Sequence, residues 1–172
     1  VYSDGDAIIG NQKDSVQIID IVFFSCPYTK NSESVRVQLI EKYGGNVSFT
    51  FRSMPITTHP LSFERAEAAE CAFEQNKYWD YHDKLFEYQD EITVEKLKDI
   101  AVELNLNTTQ FNECYDSRKY RDEVQKDYQD GIDAGIFATP TYFVSGRAFV
   151  GLKSFADFEG IVVSNIEGSC YQ

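Results

Sequence analysis

Val16-Gln17-Ile18-Ile19-Asp20-Ile21-Val22-Phe23-Phe24 leads directly into Ser25-Cys26-Pro27. The first nine residues are β-branched, aromatic and almost continuously apolar, the pattern of a strand buried on both faces. Ser25-Cys26-Pro27 interrupts that pattern, and a proline is tolerated in the first turn of a helix. The helix expected from there carries Val35, Leu39 and Ile40 at helical spacing and stops at Gly44-Gly45. Residues 46–54 then alternate, with Val47, Phe49 and Phe51 on one face, as a second strand. Two strands joined by a helix predict a parallel β-α-β unit.

Upstream, residues 1–15 are polar and glycine-containing and read as a lead-in segment, with no targeting segment among them. Downstream, residues 60–135 change to helical periodicity. Helices are expected over Ser62–Gln75, Tyr78–Tyr88, from Thr93 through Leu104, after a cap at Thr108 and Thr109, and over Tyr120–Ile132. The end returns to strands: Thr141–Val144, a turn at Ser145-Gly146, and an antiparallel partner at Arg147–Val150. A last amphipathic helix covers Ser154–Ile166. This order predicts an α/β sheet interrupted by a helical subdomain packed over it, with residues 1–58 and 136–172 forming the sheet domain and 59–135 the insertion.

Composition narrows the function. The chain has 172 residues, enough for one domain with a sizeable insertion. Lys and Arg total 16 against 28 Asp and Glu, a net charge of -12, which speaks against nucleic acid or an anionic membrane surface as the main partner. No apolar run approaches the roughly 20 residues of a membrane helix. The four cysteines, Cys26, Cys71, Cys114 and Cys170, form no CxxC and no Cys/His quartet, and no HExxH is present, so a zinc site is not expected.

Cys26 is the chemically informative one. It follows a buried strand and opens a helix, where unpaired N–H groups and the helix dipole stabilise a thiolate. The thiolate is the nucleophile of disulfide exchange. A buried, inert cysteine at a strand end is the competing reading. Asp20 lies in the middle of the apolar strand, so its carboxyl is expected to be buried, to titrate high and to act as a proton relay. Thr139-Pro140 precedes a strand, where an X-Pro bond can be cis and leave the preceding backbone open to an extended peptide.

Together these segments resemble the DsbA-like thiol-disulfide oxidoreductases of the thioredoxin superfamily. Cys26-Pro27-Tyr28-Thr29 resembles that family's CPYC active site, and Asp20 matches the buried acid at the superfamily's spacing. Residues 139–147, TPTYFVSGR, resemble its TPTFFVNGR segment with the cis-proline loop. Phe51-Arg52-Ser53-Met54-Pro55 and His59-Pro60 match its second strand and the lead into its insert, and residues 68–72 and 79–86 resemble its insert helices. The resemblance runs from about Gly10 to Gly151 and implies a thioredoxin fold with an inserted helical subdomain.

It also implies roles. Cys26 is the expected nucleophile and Asp20 the proton relay, while Pro27, Tyr28, Thr139 and Pro140 are expected to contact substrate. Thr29 stands where the family has its second cysteine. Cys26 therefore cannot resolve a mixed disulfide within the motif, and the chain is either a monothiol enzyme served by an external thiol such as glutathione or a form that traps the mixed disulfide. The Thr29 hydroxyl, one turn into the helix, is an expected hydrogen-bond donor to the sulfur. No metal or organic cofactor is implied. Expected partners are cysteine-containing polypeptides and a redox partner protein or small thiol, in an extracytoplasmic setting. Two other readings stand beside this one: a glutathione-dependent transferase or isomerase like the kappa class, whose members usually have serine at the position of Cys26, and a redox-inactive module that captures unfolded chains.

Cys71 and Cys114 both fall on insert helices and are expected either to bond to each other or to stay separate buried thiols. Cys170 in the tail reads as an exposed thiol. His82 falls on the apolar side of an aromatic helix and His59 precedes a proline, and both read as structural, with no triad around Cys26. Asn46-Val47-Ser48 and Asn107-Thr108-Thr109 match glycosylation sequons, a pattern frequent by chance.

Overall fold

A computed structural model describes residues 7–11 and 16–169, with the side chains of 167–169 left out. Cys170 lies outside the described residues. The order is β1 (Ala7–Gly10), β2 (Val16–Val22), α1 (Pro27–Tyr43), β3 (Val47–Ser53), α2 (Ser62–Phe73), α3 (Tyr78–Glu87), α4 (Val94–Glu103), α5 (Thr108–Asp116), α6 (Arg121–Asp133), β4 (Thr141–Val144), β5 (Arg147–Val150) and α7 (Phe155–Ser169). This is the thioredoxin fold carrying a run of helices between its two β parts. Among the described residues no helix is long and apolar enough to cross a membrane.

The chain forms two compact units. One comprises the described parts of Val1–Val22, Cys26–Arg52 and Phe137–Gln172, and the other comprises Phe23–Ser25 and Ser53–Ile136. The expected insertion, residues 59–135, falls inside the second.

The first unit is built on a five-stranded sheet in the order β1-β3-β2-β4-β5. The apolar run Val16–Val22 is its middle strand, with Ile18 and Val22 fully buried. Leu39 of α1 and Phe158 and Val162 of α7 pack with Val16, Ile18, Val47, Phe49, Tyr142 and Val144 into one core. Burying each of the larger of these side chains contributes about 1.5–3 kcal/mol. The β4–β5 hairpin pairs Thr141 with Val150 and Val144 with Arg147. Its turn residues Ser145 and Gly146 both have positive φ, 48° and 78°, the type I′ geometry whose twist matches the strands.

One expectation fails here. Residues 7–10 are a strand and not part of a structureless lead-in: β1 pairs antiparallel with β3, Ala7 opposite Phe51 and Gly10 opposite Ser48. Three apolar residues, Ala7-Ile8-Ile9, are too few to show a period, so pairing with β3 decides the conformation. Gly10 is required where it stands. Its φ is +96°, and a Cβ there would lie 2.3 Å from the Val47 carbonyl oxygen. The next residue, Asn11, donates from its backbone to the carbonyls of Gly44 and Val47, both at 3.2 Å, closing the strand onto the end of α1.

The second unit is helical. Cys71 of α2 and Cys114 of α5 form a disulfide across 43 residues of chain. Closing a loop of that length restricts the unfolded chain by about 4 kcal/mol on the loop-entropy relation. Arg118 donates Nε and Nη2 to the buried Glu67 at 2.5 and 2.8 Å, and Nη1 to Glu64 at 3.1 Å, tying the end of α5 to α2. Tyr81 donates its hydroxyl to the Leu97 carbonyl at 2.7 Å. Thr93 caps α4 as expected from the sequence, accepting from Lys96 N. The cap of α5 is Asn107, which accepts from Gln110 N at 3.1 Å, and not Thr108 or Thr109. Asparagine caps at least as well as threonine, and the helix simply begins one residue earlier. His82 is fully buried among the rings of Phe24, Trp79 and Phe86, and His59 packs edge-on against Phe23 at 4.9 Å, so both histidines are packing residues.

Candidate active site

Cys26 is the N-cap residue of α1, in extended conformation (φ -81°, ψ 120°), with Pro27 in the first turn. No side chain caps the helix, so its first N–H groups have no side-chain acceptor at the cap. The sulfur is therefore held at the positive end of a 17-residue helix, the place where a thiolate is best accommodated. Among the described residues Cys26 has no disulfide partner, and it is 8% exposed.

The sulfur meets a residue 113 positions away in sequence. Cys26 Sγ lies 3.4 Å from the carbonyl oxygen of Thr139. The Thr139–Pro140 bond is cis, as the sequence led us to expect. The segment around it is pinned from both sides. Thr141 Oγ1 donates to the Ala138 carbonyl at 2.7 Å, and Gly151 N donates to the Pro140 carbonyl at 2.8 Å. Thr139 is half-buried and Pro140 buried, while Pro27 and Tyr28 are exposed, Tyr28 by 62%.

Thr29, where the resemblance expects a second cysteine, has no accessible surface at all. Its hydroxyl has no hydrogen-bond partner, so the expected bond to the Cys26 sulfur is not made. The sulfur lies against the Thr139 carbonyl. A buried unpaired hydroxyl costs about 1–3 kcal/mol. A thiol in the same place is a weaker donor and acceptor and tolerates that isolation better.

Asp20 lies in the middle of β2, 2% exposed, with Oδ1 lacking a hydrogen-bond partner. Burial pushes its carboxyl well above the usual range, the nearby Glu33 charge adds to this, and Arg36 works against it. Glu33 and Arg36 sit one turn apart on α1 and are paired at 2.8 Å, with Arg36 itself buried. Asp20 is thus buried and its carboxyl is held above the ordinary range, the two properties expected of it from the sequence.

Several exposed apolar residues on the segments next to Thr139 and Pro140 carry no signal in the sequence. Phe137 is 87% exposed two residues before Thr139. Val150 and Leu152 are also exposed and flank Gly151, which holds Pro140. With Tyr28 they place four large apolar side chains on segments adjoining Cys26 and Pro140. An isolated apolar residue in a loop or edge strand carries no sequence signal of exposure, which is why they were not found.

Comparison with known proteins agrees with this geometry. A family model described as thioredoxin matches residues 2–163. The chain is 31% identical over 165 residues to the Na(+)/H(+) antiporter NhaA 3 of Salinispora tropica, covering 95% of this chain and 25% of that protein. It is 30% identical over 171 residues to NhaA 1 of Salinispora arenicola, covering 98% and 26%. The chain thus spans about a quarter of the length of these curated relatives. Among solved structures it is similar to the thiol-disulfide exchange protein alpha-DsbA2 of Wolbachia pipientis (TM-score 0.84, 22% identity, 93% of this chain and 87% of the other). It is also similar to alpha-DsbA1 of the same organism (0.87, 21%, 99% and 96%) and to oxidised BdbD of Bacillus subtilis (0.81, 25%, 98% and 94%). These proteins share its fold, helical insertion included. Since the family match runs through both β parts and the helices between them, the chain belongs to the thioredoxin family.

Proposed function

We propose that the chain is a thiol-disulfide oxidoreductase that acts on protein cysteines through the single nucleophile Cys26. The observation that carries this reading is the placement of Cys26 Sγ at the start of α1, 3.4 Å from the Thr139 carbonyl. A reactive sulfur there stands beside a backbone edge with which an extended substrate can pair. The exposed Tyr28, Phe137, Val150 and Leu152 favour polypeptides with apolar side chains near the reacting cysteine.

The Cys26 thiolate attacks one sulfur of a substrate disulfide. The substrate S–S bond breaks, the Cys26–substrate S–S bond forms, and the departing thiolate takes up a proton. Asp20 serves as the buried proton store beneath the site. With Thr29 at the resolving position, the second step falls to an external thiol, glutathione or a partner protein, which attacks the mixed disulfide and returns Cys26 to the thiol. Pro27, Tyr28, Thr139 and Pro140 form the substrate contacts. The Cys71–Cys114 disulfide fits an extracytoplasmic, oxidising compartment.

The test replaces Thr29 by Cys. Thr29→Cys is expected to gain dithiol oxidation and insulin reduction over the parent, because it supplies the missing internal thiol. The parent is expected to accumulate a mixed disulfide when mixed with a peptide disulfide, releasing the second peptide thiol, and Cys26→Ala to form none. No gain in Thr29→Cys together with no adduct in the parent would reject the reading.

A further inference from the structure

The segments that meet at Cys26 are opposite in charge to the chain as a whole. Residues 26–32, 137–141 and 150–153 contain Lys30 and Lys153 and no Asp or Glu, in a chain with 28 acidic residues and a net charge of -12. Hydrogen bonds tie both lysines to the site. Lys30 lies one turn into α1, and its backbone N–H donates to the Cys26 carbonyl at 3.1 Å. On the other side, Gly151 N donates to the Pro140 carbonyl at 2.8 Å, which holds the loop after β5 against the cis-proline. Two residues on, Lys153 Nζ folds back and donates to the Val150 carbonyl at 3.1 Å.

Neither ammonium is neutralised. Among the described residues Lys30 and Lys153 make no ion pair, and both are partly exposed. The acids nearest in sequence are committed elsewhere. Glu33 pairs with the buried Arg36 at 2.8 Å, and Asp157 accepts from the Ser154 hydroxyl at 2.6 Å. Asp20 is buried, with its carboxyl held well above the ordinary range. Residues one helical turn apart have about 5–6 Å between Cβ atoms, inside the Debye length of about 10 Å at 0.1 M salt. At that ionic strength the carboxylates elsewhere on the chain are screened, while these two charges are felt at the sulfur.

We propose that Lys30 and Lys153 are specificity-determining residues that select, as the small molecule exchanging with Cys26, a thiol or disulfide carrying carboxylates. The proposal rests on the oxidoreductase reading and deepens it by naming the charge of the external thiol. The two ammonium groups draw carboxylates toward the sulfur and repel amines, so they act on encounter and leave the sulfur chemistry itself unchanged.

The experiment measures how fast Cys26 forms adducts with three symmetrical disulfides, followed by mass spectrometry in 0.1 M salt. Glutathione disulfide is anionic, cystamine is cationic and hydroxyethyl disulfide is neutral. In each case the Cys26 thiolate attacks one sulfur, the probe S–S bond breaks, the Cys26–probe S–S bond forms, and one probe thiolate departs. The readout is the ratio of the glutathione disulfide rate to the cystamine rate, divided by the same ratio for free mercaptoethanol, which removes the intrinsic difference between the reagents. It is expected to be about tenfold in the parent and to collapse toward unity in 1 M salt, where the Debye length is about 3 Å. Lys30→Gln and Lys153→Gln are each expected to lower it about threefold, and Lys30→Arg and Lys153→Arg, which keep the charge, to retain it. Arg147→Gln removes a charge at the turn end of the same hairpin, about 10 Å along β5 from Val150, and is expected to leave the ratio within about 1.5-fold. A change in thiolate reactivity alone moves all three reagents together and leaves the ratio intact. A parental ratio at or below one would overturn the proposal, as would an unchanged ratio in both glutamine variants or an equal drop in Arg147→Gln. If even the neutral disulfide forms no adduct with the parent, the oxidoreductase reading falls and the charge selection falls with it.

Discussion

Asp20 and Tyr142 are direct cross-strand partners on β2 and β4, so a carboxyl and a phenol share one buried face of the sheet beneath the thiol helix. Burial first, and then the Asp20 charge, makes ionisation of the phenol harder.

The Asp20 carboxyl titrates above its unfolded-state value, because burial and Glu33 disfavour its charge. Above the unfolded value of about 4, the unfolded chain has lost that proton while the folded chain still holds it. Stability therefore falls as pH rises through this window. Asp20→Asn is expected to remove the slope and to be more stable than the parent at pH 7, with the gap narrowing toward pH 4. Urea unfolding across pH 4–8 measures it, and parallel curves for parent and variant would refute the assignment.

Thr29→Val tests the isolated hydroxyl. Valine matches threonine in shape and removes a buried polar atom with no partner. The variant is expected to gain about 1 kcal/mol of stability, seen as a rise of roughly 2–4 °C in Tm. A loss of stability would mean that the hydroxyl is satisfied in solution.

Reduction of the Cys71–Cys114 disulfide is expected to loosen the helical unit. A Cys71→Ala, Cys114→Ala double variant should lose about 4 kcal/mol by loop entropy, read from denaturant midpoints. Cys26 alkylation in native buffer should stay within about twofold of the parent, since the unit that carries Cys26 does not contain the disulfide.

Arg118→Ala leaves the carboxylate of Glu67, which is 1% exposed, without its bidentate partner. Arg118 is itself partly exposed, so the loss is expected near 2 kcal/mol and not the 3–5 typical of a fully buried pair. Glu67→Gln in the Arg118→Ala background is expected to recover part of it, and no recovery would show that the stranded charge is not the cause.

Phe137→Ser and Leu152→Ser are expected to weaken peptide reactivity of Cys26 several-fold while leaving iodoacetamide alkylation unchanged, because these side chains are exposed on the segments next to Pro140. Kinetics with a peptide carrying apolar neighbours against one carrying only polar ones separate the two cases, and equal behaviour toward both would remove these residues from the substrate surface.

Local pattern was enough for the central elements. Nine nearly continuous apolar residues have one favourable fate, the middle of a sheet, and Val16–Val22 is that strand. The Ser145-Gly146 turn between two alternating runs placed the β4–β5 hairpin to the residue. The Cys26-Pro27 step marked a helix start because proline fits there and almost nowhere else in a helix. What was not legible has a common cause. Ala7–Gly10 becomes a strand only because β3 offers it an edge, and the Asn107 cap is one of several residues able to play that part.

The sequence by itself marked Cys26 as the candidate nucleophile, Asp20 as a buried acid and Thr29 as the residue where the resemblance expects a second cysteine, and it gave the alternation of β and α parts. Each of these is written in residue type and short-range spacing. Only the tertiary structure decided that the Cys26 sulfur lies against the Thr139 carbonyl, that Tyr142 stands across from Asp20, and that Cys71 bonds to Cys114. These relationships join residues tens to more than a hundred positions apart. They depend on strand register and helix packing, which the chain settles only when the whole core closes.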